Sequence, residues 1–290
     1  RTLTPQLRPD AEVGETELLL IDLGQGRNRL GGSALAQVYG VSGDQTPDVD
    51  AGPLKSFFAA IQALNHAGRI LAYHDRSDGG LWATVCEMSF ASHVGVSLNL
   101  DGLCYDPLMN DVDGSERFPQ IAGRLRDRML TALFNEELGA VLQVRREDRS
   151  AVMQVLREAG LGACSHSIGT TNTADEVRLW RNAKSVLAAS RVELQRIWSE
   201  TSFQIARLRD DPACAQEEFD ALLDAANPGL SVSIKSAPAA SILVSGSRPK
   251  IAILREQGVN GHVEMAAAFA RAGFAPYDVH MSDLQSGRVH

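Results

Sequence analysis

A chain of 290 residues, 44% hydrophobic and 22% charged, has the composition of a packed globular protein and the length for more than one core. Its formal net charge of −8 excludes a broadly basic surface for nucleic acid or anionic membrane, so any anionic ligand must be held locally. No apolar stretch reaches membrane-spanning length, and the opening RTLTPQLRPD lacks the apolar core of a signal peptide. Cys86, Cys104, Cys164 and Cys214 show no short pairing for zinc or disulfides and read as free thiols of a cytoplasmic protein. The lack of an initiator Met and an ending in mid-pattern fit a piece of a longer chain.

LLLIDLG (18–24) is an apolar run closed by glycine, the pattern of a buried strand, and SALAQVYG after it predicts a helix. PLKSFFAAIQALNHAGR predicts a helix opening at Pro53, with Leu54, Phe57, Phe58, Ile61 and Leu64 on one face and Gly68 near its end. ILAY (70–73) reads as a strand running into HDRSDGG, and GLWATVCEMSFAS as a helix with Leu81, Val85 and Met88 inward. GVSLNL (95–100) alternates like a half-buried strand. From Asp101 to about Asp127 the sequence turns polar and irregular, as a surface excursion does, and its DVDG lacks the full twelve-position pattern of a calcium loop.

ALFNEELGAVLQV predicts a strand, and REDRSAVMQVLREAG a helix with Val152, Val155 and Leu156 inward. CSHSIGT and VRLWRN predict two further strands. RVELQRIWSETSFQIARLRDD predicts a long helix broken at Asp211-Pro212, because the residue before proline avoids the helical region, and CAQEEFDALLDAANPGL a second helix. The Ser-, Ala- and Pro-rich stretch 231–249 reads as linker. KIAILRE, VEMAAAFARAGF and YDVHMSDL then give strand, helix and strand, one βαβ unit that cannot cover a sheet alone. The organisation is a layered α/β domain over 1–185, a helical and extended linker over 186–249, and an incomplete α/β piece over 250–290.

HDRSDGG (74–80) lies between a strand's carboxyl end and a helix's amino end, where unpaired N–H groups and the helix dipole favour negative charge. Gly79 and Gly80 allow close backbone approach, Ser77 offers a hydroxyl to a phosphate, and Asp75 or Asp78 can bring a hard cation. Magnesium with a nucleotide suits this mixture. The structural alternative is an ordinary turn: Ser77 or Asp78 caps the helix, Arg76 pairs with a neighbouring carboxylate, and His74 is a satisfied turn residue. FNEELG (134–139) places Glu136 and Glu137 before a strand, as acid/base groups or, more simply, as part of a capped turn. GQGRNRLGG has the wrong glycine interval for a dinucleotide fingerprint, and Trp180 and Trp198 read as core packing.

Together LLLIDLGQG, GGSALAQVYG, AYHDRSDGGLWATVCEMSFA, LFNEELGAVLQV, WSETSFQIARLRDDPACAQEE and PKIAILREQGVNGHVEMAAAFARAGF resemble, in order and along nearly the whole chain, the large-type phosphoribosylformylglycinamidine synthase family. The resemblance implies a later domain like that of aminoimidazole ribonucleotide synthetase, a mixed sheet with helices, joined through the linker to the start of a class I glutamine amidotransferase domain. It implies an ATP- and glutamine-dependent ligase that converts formylglycinamide ribonucleotide to formylglycinamidine ribonucleotide in purine biosynthesis. Its partners would be that substrate, glutamine and the remaining synthetase and glutaminase domains. By the same resemblance Asp75 matches a magnesium ligand and Ser77 a contact to ATP or ADP, at a site that is either catalytic or structural. The family's glutaminase cysteine, histidine and acidic partner match no residue here, so this chain alone is expected to be inactive. The alternative is a non-catalytic nucleotide-binding scaffold or domain-interaction module.

Overall fold

The computed structural model describes residues 2–105, 118–224, 227, 232–233 and 246–289, and divides into two compact units, Arg1–Asn227 and Pro228–His290. In the first, a short α1 (Asp10–Val13) precedes β1 (Thr16–Asp22), α2 (Ala34–Tyr39), α3 (Ala51–His66), β2 (Ala72–Asp75), α4 (Gly80–Ser92) and β3 (Gly95–Asn99). Then follow α5 (Phe118–Phe134), β4 (Gly139–Arg145), α6 (Arg149–Glu158), β5 (Ser165–Asn172), β6 (Glu176–Arg181), β7 (Lys184–Ser190), α7 (Arg191–Arg209) and α8 (Pro212–Ala221).

The seven strands form one mixed sheet in the order β2-β4-β1-β5-β3-β6-β7, with β3 and β6 parallel and the other neighbours antiparallel. The unbroken apolar run of β1 has a direct cause. Leu18 and Leu20 pack with Leu81, Val85 and Met88 of α4 on one face of the sheet, whereas Leu19 and Ile21 pack with Phe57, Ile61 and Leu64 of α3 and Val152 and Leu156 of α6 on the other. A strand covered on both faces has no side on which to alternate polar residues. The outer edge of β2 is partly closed by the N-terminal segment, since Tyr73 donates its N–H to the Thr4 carbonyl at 2.9 Å.

Several boundaries differ from the sequence reading. α3 begins at Ala51 with Asp50 as its cap, and its inner stripe is Phe57, Ile61 and Leu64, while Phe58 is 64% exposed. Ala132, Leu133 and Phe134 end α5 rather than opening the strand, which starts at Gly139. The stretch from Phe118 to Asp127, expected to be irregular, belongs to that helix; the DVDG stretch lies outside the described residues, as does most of 231–249. A strand over Lys184–Ser190 was not foreseen, because its exposed edge position carries little apolar signal. Trp198 is not core: on α7 it is 59% exposed, pairing with Phe90 at 5.9 Å between ring centroids and donating its indole N–H to Glu87 at 3.3 Å.

In the second unit β8 (Lys250–Arg255), α9 (His262–Arg271) and β9 (Ala275–His280) form a parallel βαβ unit, and α10 (Met281–Gln285) follows directly. The predicted strand YDVHMSDL therefore stops at His280, whose side chain and Asp283 form a reciprocal cap that turns the chain into helix. Among the described residues no helix is long and apolar enough to cross a membrane.

Candidate nucleotide-binding junction

Register brings three separated motifs to one end of the sheet. Asp22, the last residue of β1, stands opposite Gly139, and Asp75, the last of β2, opposite Ala140. DLGQG, HDRSDGG and FNEELG thus share a corner, a convergence that no local spacing announces.

Strand alternation sorts the HDRS side chains. Asp75 and Ser77 are exposed, while Arg76 between them is buried, its guanidinium donating to Asp22 Oδ1 at 2.6 Å, to the Leu138 carbonyl at 3.1 Å and to the Glu137 carbonyl. Asp22 also accepts the N–H groups of Gly24 at 3.0 Å and Gly26 at 2.7 Å. The carboxylate paired with Arg76 is therefore 54 residues away, not a neighbour in the turn. His74 places Nε2 2.9 Å from Glu87 Oε2 and Nδ1 2.7 Å from the Asp75 carbonyl oxygen, so it is a satisfied residue joining β2 to α4.

FNEELG is committed to holding the corner. Glu137, wholly buried, meets the Arg29 guanidinium in a bidentate pair at 2.7 and 2.8 Å and accepts the Arg29 N–H at 3.2 Å. Burial alone would raise its carboxyl, but the hydrogen bonds and charge of Arg29 outweigh burial and hold it below the usual carboxylate value. Asn135 is buried and donates to the Thr131 carbonyl at 2.7 Å. One oxygen of Glu136 accepts both the Gly79 and the Ala34 N–H groups at 2.8 Å. Neither glutamate is placed for acid/base work; each bonds to the backbone of a loop.

Close approach explains the second glycine of HDRSDGG. A Cβ on Gly80 would lie 2.6 Å from the Asn135 carbonyl oxygen and 2.7 Å from that of Leu133, and its φ of +68° is itself unfavourable to other residues. Gly79, at φ +82°, is the N-cap of α4, and no side chain of the cap residue closes the helix. Among the described residues neither Ser77 nor Asp78 makes a side-chain hydrogen bond, so the expected local cap is absent and both side chains face outward unspent. Asp75 accepts a hydrogen bond from the Tyr73 hydroxyl, whose pKa is raised by burial and by that carboxylate.

Asp22, Arg29 and Tyr73 escaped the sequence reading. Only Asp22 carried a signal, a lone carboxylate ending an apolar run before glycine. Among the described residues no three His, Cys, Asp or Glu side chains converge to hold a metal. The junction can therefore supply one or two carboxylate oxygens and a hydroxyl, which fits a magnesium ion carried by phosphate oxygens and water better than a resident ion. A separate cavity of about 650 Å³, lined by Gly26, Gly52, Pro53, Ser56, Cys164 and His166 among others, shares no residue with 74–80.

Comparison with known proteins gives two family matches. Residues 16–182 match the AIR synthase related protein, C-terminal domain, and residues 248–290 match the CobB/CobQ-like glutamine amidotransferase domain. Among solved structures, Thermotoga maritima PurL complexed with ATP is 13% identical at a TM-score of 0.43, covering 65% of this chain and 26% of that one. The same protein complexed with FGAR is 13% identical at 0.45, covering 67% and 29%. The hydrogenase maturation protein HypE of E. coli is 18% identical at 0.42, covering 63% and 50%. The chain thus spans about a quarter of the length of the PurL chains it matches.

Proposed function

Because the chain belongs, through residues 16–182, to the family of the AIR synthase related protein C-terminal domain, we propose that its Asp75–Ser77 junction takes a magnesium-bound adenine nucleotide. The observation that carries this is the exposure of Asp75, Ser77 and Asp78 at the open end of β2, Ser77 and Asp78 with no side-chain hydrogen bond and Asp75 oriented by the Tyr73 hydroxyl, with Arg76 and both glutamates of FNEELG engaged in holding the corner. Asp75 would hold the ion and Ser77 a phosphate oxygen; the ion, when bound, neutralises phosphate charge that this acidic corner would otherwise repel.

A synthetase domain followed by a glutamine amidotransferase match supports a parent enzyme of the phosphoribosylformylglycinamidine synthase type. Such a ligase phosphorylates an amide oxygen of formylglycinamide ribonucleotide and displaces it with ammonia from glutamine. This chain is proposed not to hydrolyse glutamine itself. Cys86, Cys104 and Cys164 are buried, and burial raises all three thiols, that of Cys86 to about 12 with help from Glu87, so none of these three is a ready nucleophile; Cys214 is exposed on α8 and, by the family resemblance, does not match the glutaminase nucleophile.

The test is a thermal-shift series with millimolar Mg·ADP, ADP with EDTA, and Mg²⁺ alone. Only Mg·ADP is expected to raise the melting temperature, and Asp75→Ala to abolish the rise; an equal rise in Asp75→Ala contradicts the assignment. The density of internal ion pairs at the corner favours a second reading, a nucleotide scaffold. Asp75→Ala in the longer parent separates the two: activity lost with stability kept is chemistry, and both lost in proportion is architecture.

A further inference from the structure

We propose that Glu136 is the positioning residue of this junction: it caps α4 from a distant segment and so keeps Ser77 and Asp78 turned toward the ligand. The inference rests on the nucleotide reading above. A helix begins with N–H groups that have no partner in the helix, and Ser and Asp are among the side chains best suited to accept them. HDRSDGG offers one of each immediately before α4, yet neither is used.

The turn is instead held from two other directions. The Gly80 N–H closes on the Ser77 carbonyl at 2.9 Å, and the Gly79 N–H is taken by Glu136 Oε1 at 2.8 Å. The same oxygen holds the N–H of Ala34, the first residue of α2, so the carboxylate ties two loops that lie 45 positions apart in sequence. Glu136 is fixed in turn by its neighbours, Asn135 bonded into the end of α5 and Glu137 clamped on Arg29. With Gly79 pinned, the turn cannot roll inward to bring the Ser77 hydroxyl onto the amides of α4. A charged acceptor also makes a stronger bond than a neutral one, which suits a point fixing two loops.

The test compares wild type with Glu136→Ala and Glu136→Gln by two readouts, amide exchange at Gly79 followed by NMR without ligand, and the Kd for Mg·ADP. In Glu136→Ala, exchange at Gly79 is expected to quicken about tenfold and Mg·ADP to bind about tenfold more weakly, the scale of one charge-assisted hydrogen bond. Glu136→Gln, which keeps an oxygen acceptor, is expected to restore most of both. Unchanged exchange at Gly79 overturns the proposal, and so does a lowered melting temperature with an unchanged Kd, which is the mark of a purely structural residue. Should wild type bind no Mg·ADP, the nucleotide reading falls by itself. The clamp is then decided by exchange, upheld if Gly79 quickens in Glu136→Ala and overturned if it does not.

Discussion

Arg76 shows how one side chain organises the corner. Its neighbours Asp75 and Ser77 face solvent while its own guanidinium is buried against Asp22 and two carbonyls. Removing one partner of such a pair strands the other, so Arg76→Met is expected to cost about 3–5 kcal/mol in urea denaturation. Gly80→Ala brings a methyl group against the carbonyls of Asn135 and Leu133 at positive φ, and is expected to cost roughly 2–4 kcal/mol by the same measurement. Glu137 gives a pH signature. Its folded pKa lies below the unfolded one, so its stabilisation is present above about pH 4.3 and is lost as pH falls through the folded value. Glu137→Gln is expected to be less stable at neutral pH and to lose less on acidification from pH 5 to 3. At this scale the sequence named the exposed Asp75 and Ser77, but their local motif could not reveal that Arg76 pairs with a residue 54 positions away.

At the scale of elements, periodicity succeeded where an element has one buried face or two. β1 and α4 matched because Leu18–Ile21 are buried on both sides and Leu81, Val85 and Met88 lie inward. It failed where tertiary contact sets a boundary: Phe134 ends α5, and the segment 135–137 after it is irregular because it carries the clamps to Arg29, Gly79 and Ala34, not because its residues disfavour a strand. The break at Asp211-Pro212 was legible, since Asp211 is extended and its carboxylate accepts the Ala213 and Cys214 N–H groups. Asp211→Ala is expected to fray the start of α8 at a cost of about 1 kcal/mol, seen as faster amide exchange at Ala213 and Cys214. α8 itself should stay docked on α7, where Phe219 stacks on Phe203 at 4.1 Å and lies under the Arg196 guanidinium.

At the scale of the molecule, the two units differ in what they bury. The first encloses a seven-stranded sheet with apolar clusters on both faces, while the second has two strands, with Ile253 and Val279 its buried apolar residues among those described. Amides of β8 and β9 are therefore expected to exchange well ahead of those of β1, β4 and β5 in the same sample. The alternation of β1, α3, β2, α4 and β3 was readable from their apolar patterns, whereas α5 and β7 were not. The helices of 191–221, read as part of a connection, fall within the first unit, because contacts such as Phe90–Trp198 and Glu87–Trp198 tie α7 to α4.

If the end of β2 and the start of α4 receive a metal-bound nucleotide, NMR titration of the labelled chain with Mg·ADP will locate it. Saturable shifts centred on residues 74–80 are expected, lost in Asp75→Ala. Shifts centred instead on the cavity beside Pro53 and His166, or identical shifts in Asp75→Ala, would rule out a nucleotide at this junction.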